Sequence, residues 1–321
     1  MILITGASGL VGGELRRALT AAQMPLRLAG RGAVSPEPPA QAVPVGDIGP
    51  CTDWRRALAG VSLVVHLAAR VHRMGEAEGP ETLARYREVN TLGACRLASE
   101  AAAAGVRRFV FLSSIKAGED NDPYSLSKRE AEQGLAAIAA ESGMELVIIR
   151  PPLVYGPGVK ANFLRLLRLV DHGVPLPLAS LRNARSLIFV GNLVDFIILC
   201  LTHPAACGQT FTVSDDHDLS TPELIRLLAR ALGKPARLWP CPPALLRLLG
   251  AVSGRSREID RLCGSLTVDN TLARAALAWR PPFTVEQGLR QTVDWYRQGG
   301  DRGQPGVFRQ SVTGVDHLPQ G

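Results

Sequence analysis

A chain of 321 residues with 46% hydrophobic content is long enough for one large domain or two modest ones around a sizeable core. No apolar run reaches the ~18 residues that a membrane-crossing helix needs, and an apolar strand begins at Met1 with no basic leader, so the expected location is cytoplasmic. The net charge of +7 is dispersed and aromatics are only 5%, which sets nucleic acid aside and leaves phosphate-bearing small molecules compatible.

The first half alternates β-type runs with helix-like stretches. MILIT, LRLAG, AVPVGDI and LVVHLAA read as strands, with GELRRALTAA and DWRRALAG as helices between them. TLGACRLASEAAAAG predicts a helix, RRFVFLSS a strand, SLSKREAEQGLAAIAAES a helix, and ELVIIRPPLVYG a strand ending in prolines. Regular βαβ alternation implies an α/β fold with a doubly wound parallel sheet of the Rossmann type. After about residue 150 the rhythm breaks. A helix near 160–172 precedes the strand RSLIFV and the helix NLVDFIILCL, which read as a returning piece. STPELIRLLARALG, PPALLRLLGAVSG and TVEQGLRQTVDWY are helical and suit a smaller mixed α/β substrate-binding domain. The expected division is residues 1–150 plus about 185–205 for the nucleotide-binding domain, and 151–184 plus 206–298 for the substrate domain. A flexible tail is expected over 299–321. Six scattered cysteines without Cys-x-x-Cys spacing or histidine companions suggest neither a metal site nor a disulfide framework.

TGASGLVG at 5–12 places Gly6, Gly9 and Gly12 between a strand and an amphipathic helix, the context of a dinucleotide phosphate loop. Small residues let the backbone turn tightly and approach a pyrophosphate, whose charge the helix N-terminus favours. The second strand ends at Gly30 followed by Arg31, where an acid would select NAD and an arginine would accept a 2′-phosphate; no acid is present, which tilts the cofactor toward NADP. Arg31 reads equally as a solvated loop residue. In DPYSLSK at 122–128, a proline opens a helix on which Tyr124 and Lys128 share a face. A nearby ammonium would favour the phenolate and make the hydroxyl a usable acid or base. Alone, the same spacing is equally a solvated helix face.

TGASGLVG, GDI at 46–48, HLAA at 66–69, Asn90, SS at 113–114 and YSLSK together resemble the extended short-chain dehydrogenase/reductases, of the NAD-dependent epimerase/dehydratase family. SSIK, RPPLVYGPG and RSLIFVGNLVD are similar to segments of bacterial UDP-sugar 4-epimerases and 4-keto-sugar reductases of surface polysaccharide synthesis. The resemblance implies that Tyr124 exchanges the proton on a sugar hydroxyl, Lys128 holds the nicotinamide ribose and lowers the phenol's pKa, and Ser114 hydrogen-bonds the reacting oxygen. It implies that Asp47 and Ile48 flank the adenine, and that Leu67, Ala68 and Ala69 border the phosphates and ribose. Asn90 would support the catalytic region, and Pro151 and Val154 would line the nicotinamide pocket. Asn162 and Arg185, with another arginine from 255–261, would meet the substrate's diphosphate and uridine. No metal is implied, and a homodimer through the helices after Asn90 and Tyr124 is expected. Three departures leave the substrate open: the short IKAGEDNDP stretch, Leu153 in place of a common asparagine, and Asn192 in place of a frequent aspartate. A non-catalytic NADPH-binding regulator and a reductase of an apolar carbonyl remain the competing readings.

Overall fold

The computed structural model describes residues 1–32, 40–71, 79–119, 122–252 and 256–300. Its strands are β1 (Ile2–Thr5), β2 (Leu26–Gly30), β3 (Gln41–Pro44), β4 (Leu63–His66), β5 (Arg108–Leu112), β6 (Glu145–Arg150), β7 (Leu153–Tyr155), β8 (Leu187–Phe189) and β9 (Thr210–Thr212). Seven of them form one sheet in the order β3-β2-β1-β4-β5-β6-β9, with every pairing parallel. The order reverses beside β1, so the crevice at the carboxyl ends of β1 and β4 is the place where such sheets take a ligand.

The helices are α1 (Leu10–Ala21), α2 (Arg55–Leu58), α3 (Pro80–Tyr86), α4 (Gly93–Ala103), α5 (Lys116–Glu119), α6 (Pro123–Ser142), α7 (Ala161–Asp171), α8 (Val190–Thr202), α9 (Thr221–Ala231), α10 (Pro243–Val252), α11 (Ser256–Cys263), α12 (Thr271–Leu277) and α13 (Val285–Arg297). Successive strand residues face opposite sides, and the core divides accordingly. Ile2 and Ile4 pack with α1 and α8, while Leu3 packs with α4 and α6. Helix α8 is predominantly apolar, with ten of its thirteen residues buried, which fixes it as an interior helix and not a surface one. Among the described residues no helix is long and apolar enough to cross a membrane.

The fold departs from the sequence expectation in four places. ELVIIRPPLVYG is two strands, because Pro151 and Pro152 supply no ladder donors; β7 leaves the main sheet and pairs with β8. The segment before α4 is a π-helical turn, Arg87–Leu92. The chain returns to the main sheet through β9, beyond residue 205, on a three-residue TFT strand too short to carry a periodic signal. Helices α3, α11 and α12 were not expected. Residues 299–300 follow α13, and the rest of the expected tail, 301–321, lies outside the described residues.

Candidate active site

The glycine loop is built at the limit of backbone approach. Gly6 adopts φ +72°, and a Cβ there would lie 2.7 Å from the Ala68 amide nitrogen. At Gly12 a Cβ would lie 2.2 Å from the Gly6 carbonyl oxygen, while Gly9, the N-cap of α1, donates its amide to that oxygen at 3.0 Å. The cradle that these glycines leave, opening onto a helix N-terminus, fits a dinucleotide pyrophosphate. Gly12→Ala must displace backbone, so it is expected to weaken dinucleotide binding ~10-fold or more in a fluorescence titration. Gly13→Ala is the matched control, since the nearest atom to its Cβ would be 3.9 Å away.

Asp122 caps α6, accepting the amides of Tyr124 and Ser125 at 3.0 Å each, with Pro123 at the first helical position. This cap starts the helix so that Tyr124 meets the end of β5. Ser114 lies beside the Tyr124 phenol, close enough to act on its titration, and the Lys116 amide donates to Ser114 Oγ at 3.3 Å. One turn on, Lys128 is buried at 2% exposure; its Nζ donates to the Leu112 carbonyl at 2.8 Å and lies 4.4 Å from the centre of the Phe111 ring. Asn90, in the π-helical turn, accepts from the Arg70 amide at 2.8 Å and donates to the Arg70 carbonyl at 3.1 Å. It also donates to Ser127 Oγ at 3.0 Å, tying the strand-β4 loop to the catalytic helix.

Electrostatics depart from the expectation drawn from Tyr-x-x-x-Lys spacing. Burial pushes the Tyr124 phenol up to about 12, with Ser114 opposing and Asp122 and Tyr86 reinforcing. Lys128 does not lower it here, because its amine is turned to the Leu112 carbonyl. Burial brings Lys128 itself down to about 7, with Glu132 opposing. The phenol is therefore a proton donor at neutral pH, beside an amine near its midpoint.

The remaining expected residues fall in several places. Arg31 and Asp47 come together at 3.9 Å, both largely exposed, at the carboxyl end of β2 and just beyond β3. Ile48 packs against Gly93. Leu67, Ala68 and Ala69 are half-buried beyond β4, across from the glycine loop. Pro151 is buried and accepts the Ile115 amide at 3.1 Å, while Val154 is half-buried in β7. Asn162 stands exposed at the start of α7, and Arg185 is half-buried where the chain bridges to Leu219 and Leu266. Of the arginines at 255–261, Arg255 lies outside the described residues. Asn192 donates to Asp215 Oδ1 at 2.7 Å and to the Phe283 carbonyl at 2.9 Å, and Tyr155 donates to Asp215 Oδ2 at 2.8 Å. These donors suit the amide; an aspartate at 192 would set a second carboxylate against the buried Asp215, already pushed up to about 6 by burial.

Sequence reading missed three supporting contacts. Thr5 Oγ1 accepts the Ala68 amide at 3.3 Å and lies 2.7 Å from His66 Nδ1. The His66 ring is buried and stacks on Phe111 at 5.8 Å, and burial brings it down to about 3, so it is a neutral strut behind the loop. Glu132, the next turn after Lys128, is pinned by the Arg150 guanidinium, whose Nε donates at 2.9 Å. A signal for one of them, the N-cap at Asp122, lay unread in the Asp-Pro pair that opens α6; the other two join residues distant in sequence. Among the described residues no cluster of three or more His, Cys, Asp or Glu could hold a metal ion.

Comparison with known proteins supplies the family. The model of the NAD dependent epimerase/dehydratase family matches residues 2–214. A UDP-glucose 4-epimerase of Vibrio cholerae is 46% identical, covering 94% of this chain and 97% of its own. A ceramide reductase of Caulobacter vibrioides is 30% identical, covering 94% and 95%. A solved UDP-glucuronic acid 4-epimerase from Bacillus cereus in complex with NAD is 19% identical, covers 93% of this chain and 99% of its own, and superposes with a TM-score of 0.74, a likeness of fold. The resemblance drawn from the motifs is thereby borne out: the chain belongs to the NAD dependent epimerase/dehydratase family and is an enzyme.

Proposed function

We propose that the protein is an NAD(P)-dependent 4-epimerase of a UDP-hexose or UDP-N-acetylhexosamine, acting in surface polysaccharide biosynthesis. The observation that carries this reading is the Ser114–Tyr124 hydroxyl pair one helical turn from buried Lys128, at the carboxyl edge of the sheet. The 46% identity to a UDP-glucose 4-epimerase over nearly the whole chain supports it. Gly6, Gly9, Gly12 and Leu67–Ala69 would hold the dinucleotide, with Asp47 and Ile48 at the adenine and Pro151 and Val154 at the nicotinamide. When bound, it supplies reversible hydride exchange with the sugar carbon. Tyr124 gives and takes the proton at the sugar C4 oxygen, Ser114 hydrogen-bonds that oxygen, and Lys128 holds the nicotinamide ribose. Asn162 and Arg185 are assigned to the nucleotide diphosphate, Arg185 through its forked donors.

Arg31, exposed beside Gly30, favours NADP; its pairing with Asp47 is what a 2′-phosphate would have to break. The proposed lobes are 1–150 with the returning segment at about 185–205 and β9 for the dinucleotide, and the remainder to 298 for substrate. The proposed homodimer is cytoplasmic and joins through α4 and α6. Exposed Ala136, Ala137 and Ala140 support that contact, while Gly134 already serves the close approach of α6 to Cys95 within the chain.

The test is incubation with UDP-glucose, UDP-N-acetylglucosamine and a 4-keto-6-deoxy UDP-sugar, with each dinucleotide in turn, followed by NMR and absorbance of the reduced cofactor. Inversion at C4 without net cofactor use is expected, with NADP bound more tightly than NAD. Stoichiometric oxidation of NADPH by the keto sugar would identify a reductase. The 30% identity to a ceramide reductase favours one other reading, reduction of an apolar carbonyl. Turnover of such a ketone, with none of any UDP-sugar, would replace the epimerase assignment.

A further inference from the structure

Helix α10 presents an apolar stripe outward. Leu246 and Gly250 face the interior, whereas Leu245, Leu248 and Val252 are 45%, 60% and 82% exposed, and their i, i+3, i+7 spacing puts them on one face. The segment leading into the helix adds Trp239, 49% exposed. Its backbone pairs with Leu176 and Ala179 at 3.1 and 3.2 Å, two residues past the exposed Val174. Among the described residues, five of the nine exposed large hydrophobic side chains therefore belong to this one corner of the protein, too concentrated for scattered surface side chains.

The charge around it is equally biased. By count the basic residues are dispersed, yet residues 224–257 hold seven basic side chains and no acidic one. Arg226, Arg230, Lys234, Arg237 and Arg247 are all exposed. Arg237 donates to the Gly173 carbonyl at 3.3 Å, which seats it beside Val174. Lys234 pairs with Asp171 at 2.5 Å and Arg247 with Asp260 at 3.5 Å, so part of this charge is answered within the chain.

We propose that α10 and the Trp239 segment dock on an anionic lipid bilayer, holding the enzyme peripherally at a membrane surface. A helix with apolar residues on its outer face and arginines around it matches an interface of acyl chains below and anionic headgroups beside. Pairing of this face with a second copy would bring two acid-free basic segments together, whereas anionic lipid supplies the opposite charge. Trp239 is suited to the headgroup level, where one end of the indole is apolar and the other wet. The inference is independent of which carbonyl or sugar the active site takes.

The full chain is tested by flotation with vesicles of phosphatidylcholine alone and of phosphatidylcholine with phosphatidylglycerol. Flotation with the anionic vesicles is expected, weakened ~10-fold or more by high salt. Tryptophan emission should shift to the blue at the same time. That signal reports Trp239, because Trp54, Trp279 and Trp295 are only 0%, 4% and 8% exposed. Leu248→Glu with Val252→Glu, and separately Trp239→Ser, should abolish flotation while dinucleotide binding persists. Absence of flotation with anionic vesicles overturns the proposal, as does flotation unchanged in both variants. Self-association that the Leu248→Glu, Val252→Glu pair dissolves would assign the face to a second copy instead. Loss of dinucleotide binding in both variants would make the face part of the fold's own support and likewise overturn it.

Discussion

Tyr124→Phe is expected to leave dinucleotide affinity within about twofold of the parent and to lower turnover by ~10³-fold, the scale of a lost general acid or base. The substitution is conservative where packing is concerned. The ring keeps its edge-on contact with Tyr86 at 6.1 Å, and the Asp122 cap acts on the backbone of residue 124, not on its side chain. What disappears is one hydroxyl, the group beside Ser114. Affinity is read by fluorescence titration and turnover by NMR of the sugar product. Parental turnover in this variant would remove Tyr124 from the chemistry.

Lys128→Met should lower activity by ~10²-fold or more and yet make the protein more stable near neutral pH. An amine whose ordinary value is 10.5 is brought down to about 7 by burial. Between those values the unfolded chain binds more protons, so stability rises with pH through that window. Below pH 7 the full penalty of the buried charge is present. Methionine removes that penalty but also the bond to the Leu112 carbonyl, worth about 1 kcal/mol, leaving a net gain of ~1–3 kcal/mol at pH 6. The gain should shrink steadily toward pH 10. Denaturant midpoints for parent and variant at both pH values measure it, and a difference that does not vary with pH would show that Lys128 titrates as an ordinary lysine.

The strands of the main sheet were legible wherever burial on both faces demands a continuous apolar run, as in LVVH of β4 and ELVIIR of β6. Strand β9 has three residues and no such run, and its place is decided by pairing with β6. Tyr124, Lys128 and Ser114 were legible because short local patterns carry them. The direction of the phenol's shift was not, since the spacing fixes which face Lys128 occupies but not where its amine goes; that depends on a carbonyl sixteen residues earlier. The Thr5–His66 strut spans sixty-one positions and is created only when β1 and β4 become neighbours. The acid-free basic segment was hidden by averaging charge over the whole chain.

The π-helical turn at Arg87–Leu92 carries one residue more than an α-turn would hold. Deleting that extra residue would let the helix run on regularly while rotating everything on one side of it by roughly a quarter turn. Asn90 would then swing off Ser127 although no catalytic side chain had changed. Length variation among homologous chains should accordingly avoid this short interval, and a single-codon deletion there would unlatch the site.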